Sequence, residues 1–143
     1  MLISTKGRYA LRVLIDMAEH QTEEYVPLKE IAQRQDISEK YLESIIKVLV
    51  KDGILTGLRG KGGGYRLSSP PEQLTVDRIL RITEGSLAPV SCLENCGEPC
   101  AKISDCRTVH LWKGLDQVIS NYLNQFTLAD LMRVESQNCG SKS

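Results

Sequence analysis

From Thr56 to Tyr65 the chain runs Thr56-Gly57-Leu58-Arg59-Gly60-Lys61-Gly62-Gly63-Gly64-Tyr65, with five glycines inside eight residues. Each glycine in a helix interior costs about 1 kcal/mol relative to alanine, so this stretch does not propagate a helix. Short apolar runs flank it, Ile54-Leu55 before and Tyr65-Arg66-Leu67 after. That pattern predicts a β-hairpin with a long glycine-rich tip, closed by Pro70-Pro71. Between Gly53 and Pro71 there are Arg59, Lys61 and Arg66 and no acidic residue. The hairpin is therefore locally basic in a 143-residue chain whose 18 Lys and Arg balance 18 Asp and Glu. Residues 1–70 hold 11 basic against 9 acidic side chains, and residues 71–143 hold 7 against 9. Attraction to a polyanion depends on such local concentrations of charge rather than on the net value.

Helices are expected on either side of the hairpin. Leu11, Leu14, Ile15 and Ala18 fall at i, i+3, i+4 and i+7, which predicts an amphipathic helix from about Thr5 to His20, capped by Ser4 or Thr5. Pro27 opens a short second helix through Leu28, Ile31 and Ala32. Gln35-Asp36-Ile37 forms a tight break, Ser38 caps a third helix whose buried face is Leu42, Ile45, Ile46 and Leu49, and Gly53 ends it. A fourth helix starts at Thr75, with Leu74 and Ile79 placed as a hydrophobic staple, and stops at Gly85. A long helix follows from about Thr108 to Phe126. Its Trp112, Leu115, Ile119, Tyr122 and Phe126 step by 3 and 4, the spacing of a coiled-coil seam. Thr127 and Asp130 have the capping-box spacing for a last short helix through Met132 and Val134.

Two helices across a short turn, followed by a basic hairpin, are the parts of a winged helix-turn-helix. The expected fold is mainly α with one small β-hairpin, a winged helix-turn-helix with a long C-terminal dimerisation helix. The parts divide into a DNA-binding unit at 1–71, a connecting helix and cysteine-rich loop at 72–107, dimerisation helices at 108–136 and a flexible tail at 137–143. In such a unit the third helix enters the major groove, where base edges carry a readable pattern of donors and acceptors. Its exposed stripe is Lys40, Glu43, Ser44, Lys47 and Lys51, with Ser38 and Tyr41 at the end that points at bases. Glu43 can accept from a cytosine amino group and repel other sequences. Arg59 and Lys61 sit at the wing tip, with Arg59 suited to a narrow minor groove. Taken alone, the lysines also fit an ordinary solvated helix face, and Tyr41 and Tyr65 also fit the core. A nucleotide-phosphate loop is excluded, because Gly60-Lys61-Gly62-Gly63-Gly64 lacks the GxxxxGK[ST] spacing and no helix follows.

Four of the five cysteines follow as Cys92-x3-Cys96-x3-Cys100-x5-Cys106, with His110 four residues further on. Thiolates bind soft metals, iron–sulfur clusters and structural zinc alike, so the spacing leaves iron–sulfur, zinc and unliganded redox thiols open. Cys139 falls in the tail and His20 at a helix C-terminus, neither as a ligand.

Ser4-Thr5-Lys6-Gly7-Arg8-Tyr9-Ala10, Tyr41-Leu42-Glu43 and Arg59-Gly60-Lys61-Gly62-Gly63-Gly64-Tyr65 resemble signature segments of the bacterial regulators that include IscR, NsrR and CymR. The resemblance extends from Met1 to about Met132. It implies a homodimer on a pseudo-palindromic double-stranded DNA operator, with contacts around Ser38, Tyr41, Glu43 and Arg59; the full set of candidate DNA-binding residues is Lys6, Tyr9, Ser38, Lys40, Tyr41, Glu43, Ser44, Lys47, Arg59, Lys61 and Tyr65. IscR-like and NsrR-like members hold an iron–sulfur cluster with three cysteines in the corresponding loop, and in IscR-like members a histidine adds a ligand. By resemblance the cluster here is [2Fe–2S], with Cys92, Cys96, Cys100, Cys106 and His110 as candidate ligands and zinc or no metal as alternatives. Two departures stand out. This chain has two middle cysteines in place of one, and His110 lies one residue later than that histidine, a rotation of about 100° on a helix. CymR-like members regulate sulfur metabolism without a cluster, and four loop cysteines point away from that subtype.

The resulting expectation is a transcription regulator, acting as a repressor, whose DNA affinity follows iron–sulfur, redox or nitric oxide status. The alternatives are a cluster-free regulator of sulfur metabolism and a zinc-stabilised interaction module. An enzyme is not expected, since the two histidines fall in no catalytic arrangement and no nucleophile motif is present. No export signal or apolar span is legible, so a cytoplasmic location without a membrane is expected.

Overall fold

In the computed structural model the described residues are 3–20, 24–90, 93 and 107–133. Helix α1 (Thr5–Glu19) is followed by α2 (Leu28–Gln35) and α3 (Glu39–Lys51), then by strands β1 (Leu55–Leu58) and β2 (Gly64–Leu67). A 3₁₀ turn at Pro71–Gln73 leads into α4 (Val76–Glu84), and α5 (Val109–Asn124) and α6 (Leu128–Met132) complete the described part.

The helix boundaries follow from short-range chemistry. Ser4, Ser38, Thr75 and Thr127 each accept, through the side-chain oxygen, a backbone N–H from the first turn of α1, α3, α4 and α6. Each bond satisfies a donor that has no partner inside its helix. At α6 the capping box is complete, because Asp130 also accepts from the Thr127 backbone N–H. Asp36 adopts a left-handed conformation (φ 54°) and breaks the chain between α2 and α3.

One apolar cluster joins the buried faces of these elements: Leu14 from α1, Ile31 from α2, Leu42, Ile45 and Leu49 from α3, Leu55 and Leu67 from the hairpin. Leu74, Ile79 and Leu128 belong to the same cluster, so the core continues past residue 71 into α4 and α6. The start of α4 and the start of α6 are tied by two backbone bonds, Val76 N to Phe126 O at 2.9 Å and Leu128 N to Leu74 O at 2.8 Å. A second cluster of Val76, Leu80 and Leu87 packs Leu123, Phe126 and Leu131.

Two expectations are corrected. The hairpin pairs from Leu55↔Leu67 out to Leu58↔Gly64, so its tip is the five residues 59–63 and not the longer glycine stretch. The strands persist into the glycines because the wing gains a third contributor: Val26 and Tyr65 exchange backbone bonds of 2.9 and 2.8 Å. Gly64 sits at φ 149°, and a Cβ there would run into the Val26 carbonyl, so only glycine fits. The second correction is to the α5 seam. Its most exposed apolar side chains are Leu111, Val118 and Tyr122, at 61%, 62% and 57%, with Leu115 at 40%. The expected seam residue Phe126 instead packs against the second cluster, with Tyr122 edge-on at 5.1 Å, while Trp112 and Ile119 are half-buried. The exposed ridge is therefore rotated toward Leu111 and Val118, because the Leu123–Phe126 side of α5 is already used by α4.

Candidate nucleic-acid interface

Helix α3 turns Leu42, Ile45, Ile46 and Leu49 into the core and leaves Lys40, Glu43, Ser44, Lys47 and Lys51 exposed. Glu43 and Lys47 are one turn apart and form an ion pair of 3.7 Å with both side chains largely in solvent. Pairs of that kind contribute at most about 1 kcal/mol and are readily exchanged for a stronger partner such as phosphate. Ser44 donates its hydroxyl to the Tyr41 carbonyl at 2.6 Å, and Ser38 Oγ accepts the Tyr41 N–H at 3.2 Å. Ser38 is thus fixed at the N-terminal end of α3 and Ser44 one turn past Tyr41 on its exposed face.

The wing lies beside this face. A groove between them is lined by Glu43, Lys47, Lys51, Leu58, Arg59 and Tyr65. Arg59 and Lys61 are exposed at the tip and form no hydrogen bond or ion pair among the described residues. Tyr65 is half-buried, and its ring lies against Gly57 on the opposite strand, where an added Cβ would be 3.0 Å from Cε1. Its backbone holds Val26 in the wing, so Tyr65 builds the groove as well as lining it.

Tyr9 and Tyr41 meet edge-on, 5.9 Å between centroids at 82°, which joins the first half of α1 to the start of α3. Lys6 is half-exposed one turn before Tyr9. The structure thus sets Arg59 of the wing beside the α3 stripe across one groove and joins α1 to the start of α3 through Tyr9 and Tyr41. Sequence reasoning missed Arg12. Its guanidinium stacks 4.8 Å over Tyr9 and donates to Gln35 Oε1 at 3.3 Å and to the Gln35 carbonyl at 3.2 Å, which locks α1 to the end of α2. The available signal was its position three residues after Tyr9 on α1. Arg78 was also missed. It donates to the Asp52 carbonyl at 3.3 Å and so places a cation at the C-terminus of α3, where the helix dipole favours one.

Of the candidate metal ligands, His110 is exposed in the first turn of α5. Cys92, Cys96, Cys100 and Cys106 lie outside the described residues, as does Cys139. No helix among the described residues is long and apolar enough to cross a membrane.

This architecture, helix-turn-helix, wing and long following helix, coincides with a known one. The profile of the family Rrf2, an iron-dependent transcriptional regulator, matches residues 3–134. The chain belongs to the Rrf2 family. It is 42% identical over 133 residues to the protein rrf2 of Nitratidesulfovibrio vulgaris, covering 93% of this chain and 88% of that one. Among solved structures it resembles CymR, the global cysteine regulator of B. subtilis, at a TM-score of 0.72 and 38% identity over 92% of this chain and 96% of that chain. It also resembles T. potens IscR, at a TM-score of 0.71 and 35% identity over 96% and 91% of the two chains. This Rrf2 protein is accordingly a DNA-binding transcription regulator with a winged-helix fold and not an enzyme.

Proposed function

We propose that this Rrf2 protein is a sequence-specific repressor that binds a pseudo-palindromic operator as a homodimer, and that its DNA affinity follows an iron–sulfur cluster held by the Cys92–Cys106 segment. The observation that carries the DNA reading is the groove in which wing-tip Arg59 stands beside Lys47 and Lys51 of α3, with Lys61 also exposed at the tip and α1 joined to the start of α3 by Tyr9 and Tyr41. In this reading Ser38, Lys40, Tyr41, Glu43, Ser44 and Lys47 face the major groove, Arg59 and Lys61 reach the flanking minor groove, and Lys6, Tyr9 and Tyr65 support the backbone contacts. Dimer formation is supported by the apolar ridge of Leu111, Leu115, Val118 and Tyr122 on α5, which nothing covers among the described residues.

The donor set of the segment between α4 and α5 suits a soft-metal cluster. Four thiols within fifteen residues satisfy the four-ligand requirement of a [2Fe–2S] centre without help from a histidine. His110 remains a fifth candidate, carried on the first turn of α5. A bound cluster would supply a centre sensitive to oxidants, nitric oxide and iron supply. The chain's own contribution is to connect that segment directly to the DNA face on one side, through α4, and to the apolar ridge on the other, through α5. The similarity to T. potens IscR supports this reading. A cluster-free regulator of cysteine metabolism is the second reading, supported by the equal similarity to the global cysteine regulator CymR.

Purification without oxygen, followed by a visible spectrum and assays for iron and acid-labile sulfide, separates the two. A brown protein with about two irons and two sulfides per chain, whose operator affinity changes when the cluster is removed, supports the first reading. A colourless protein that binds the same operator supports the second. Replacing Arg59 and Lys47 together by alanine is expected to lower the slope of log affinity against log salt by about 1.8, two phosphate contacts. An unchanged slope and affinity would falsify the proposed DNA face.

A further inference from the structure

The first turn of α1 carries Lys6 and Arg8 and no acidic residue. Cations there oppose the helix dipole, whose N-terminal end is positive, so a turn of this composition needs an anion from elsewhere. Glu84 supplies it. The last residue of α4 reaches across eighty positions of sequence. Its Oε2 accepts both the Ser4 backbone N–H at 2.8 Å and the Ser4 hydroxyl at 2.9 Å. The same Ser4 oxygen then accepts the Gly7 N–H at 3.2 Å, which closes the cap of α1. Gly7 is buried against this carboxylate. A Cβ at residue 7 would collide with Glu84 Oε2 and lie 3.3 Å from Leu80 Cδ2. The anion therefore approaches from the core side of α1.

We infer that Glu84 is a positioning residue for DNA binding: from the end of α4 it caps α1 in trans and holds the basic first turn, with Lys6 and Tyr9, at the duplex backbone. The inference rests on the proposed DNA face and adds a residue to it that does not touch DNA. Glu84 is followed by Gly85, which ends α4 at φ 81°, and then by the segment that leads to the cysteines.

Two variants approach the contact from opposite sides. Glu84→Ala removes the anion. Gly7→Ala pushes it away while improving the intrinsic helix propensity of α1. In the full-length protein, operator affinity is measured across a salt series, with thermal melting in parallel. Each variant is expected to weaken binding about threefold to tenfold and to lower the salt slope by about 0.9, one phosphate contact. The double variant is expected to be no weaker than either single one, because both act on the same carboxylate. An unchanged salt slope in both folded variants, with or without a lower melting temperature, overturns the inference, as do effects that simply add. Arg59→Ala in the same series separates the two levels. If it weakens binding while Glu84→Ala and Gly7→Ala do not, only the Glu84 assignment falls. If none of the three changes binding, the DNA face itself is wrong.

Discussion

Asp16 is 4% exposed at the junction of α1 and α2. Arg34 grips it, donating from Nε at 3.0 and 3.1 Å and from Nη2 at 2.6 Å, and Gln35 Nε2 donates at 2.8 Å. Burial alone would raise the Asp16 pKa, but the hydrogen bonds from Arg34 and Gln35, together with the Arg34 charge, hold it below its ordinary value of 3.8. A carboxylate whose folded pKa is depressed adds stability above its unfolded pKa and loses it as pH falls through the folded one. Asp16→Asn is therefore expected to destabilise the fold by about 2 kcal/mol at pH 7, since Arg34 and Gln35 lose a charged acceptor. The difference from wild type should shrink as the pH falls below about 4, where the unfolded chain protonates Asp16, and should vanish only below the lowered folded pKa. Denaturant melts at pH 7 and pH 3 check this. A difference that stays constant over that range would mean that the Asp16 charge does not stabilise the fold. None of this pairing was visible in the sequence, because Asp16 and Arg34 lie on different helices at a spacing that carries no periodic signal.

At the level of elements, the wing depends on glycine more stringently than composition suggests. Gly64→Ala places a Cβ against the Val26 carbonyl in a backbone region that L-residues rarely adopt, at a cost of about 1–3 kcal/mol. The expected outcome is a lower melting temperature together with weaker operator binding, as β2 slips and Arg59 loses its place. Normal binding by a folded Gly64→Ala protein would contradict the geometry of the wing. Helix α5 makes a different prediction. Replacing Leu115 and Val118 by aspartate puts charge on an exposed ridge with little consequence for the chain's own core, so the fold should persist while a dimer in solution dissociates. Sedimentation equilibrium reads the result directly. An assembly unchanged by the double variant would place the interface elsewhere. The helices, their caps and the hairpin were legible from apolar spacing and from Ser4, Ser38, Thr75 and Thr127. The true length of the hairpin tip and the face of α5 left open were not. The first depends on pairing with Val26, and the second on which side α4 had already covered.

At the scale of the whole molecule, α4 and α6 are part of the core that also supports α1, α2 and α3. The proposed DNA face is consequently not an independent module: Leu74, Ile79 and Leu128 share one apolar cluster with Leu14 and Leu42. If the protein is a two-fold dimer, half-sites should be separated by about 10 base pairs or a multiple of that spacing. Inserting five base pairs between operator halves is then expected to reduce affinity to the level of a single half-site, and a gel-shift titration measures it. Equal affinity for the two spacings would argue for binding as a monomer. The amino-acid sequence alone determined the order of helix, turn, helix and basic hairpin, because caps, glycines and apolar periodicity act over a few residues. It also made legible four cysteines within fifteen residues, the group on which the proposed cluster rests. The tertiary structure alone decided that Glu84 caps α1, that Arg34 neutralises Asp16, that Arg12 donates to Gln35 and that Leu111 and Val118 form the open ridge. Those contacts join residues far apart in the chain, and no local rule encodes which distant surfaces will meet once the core has closed.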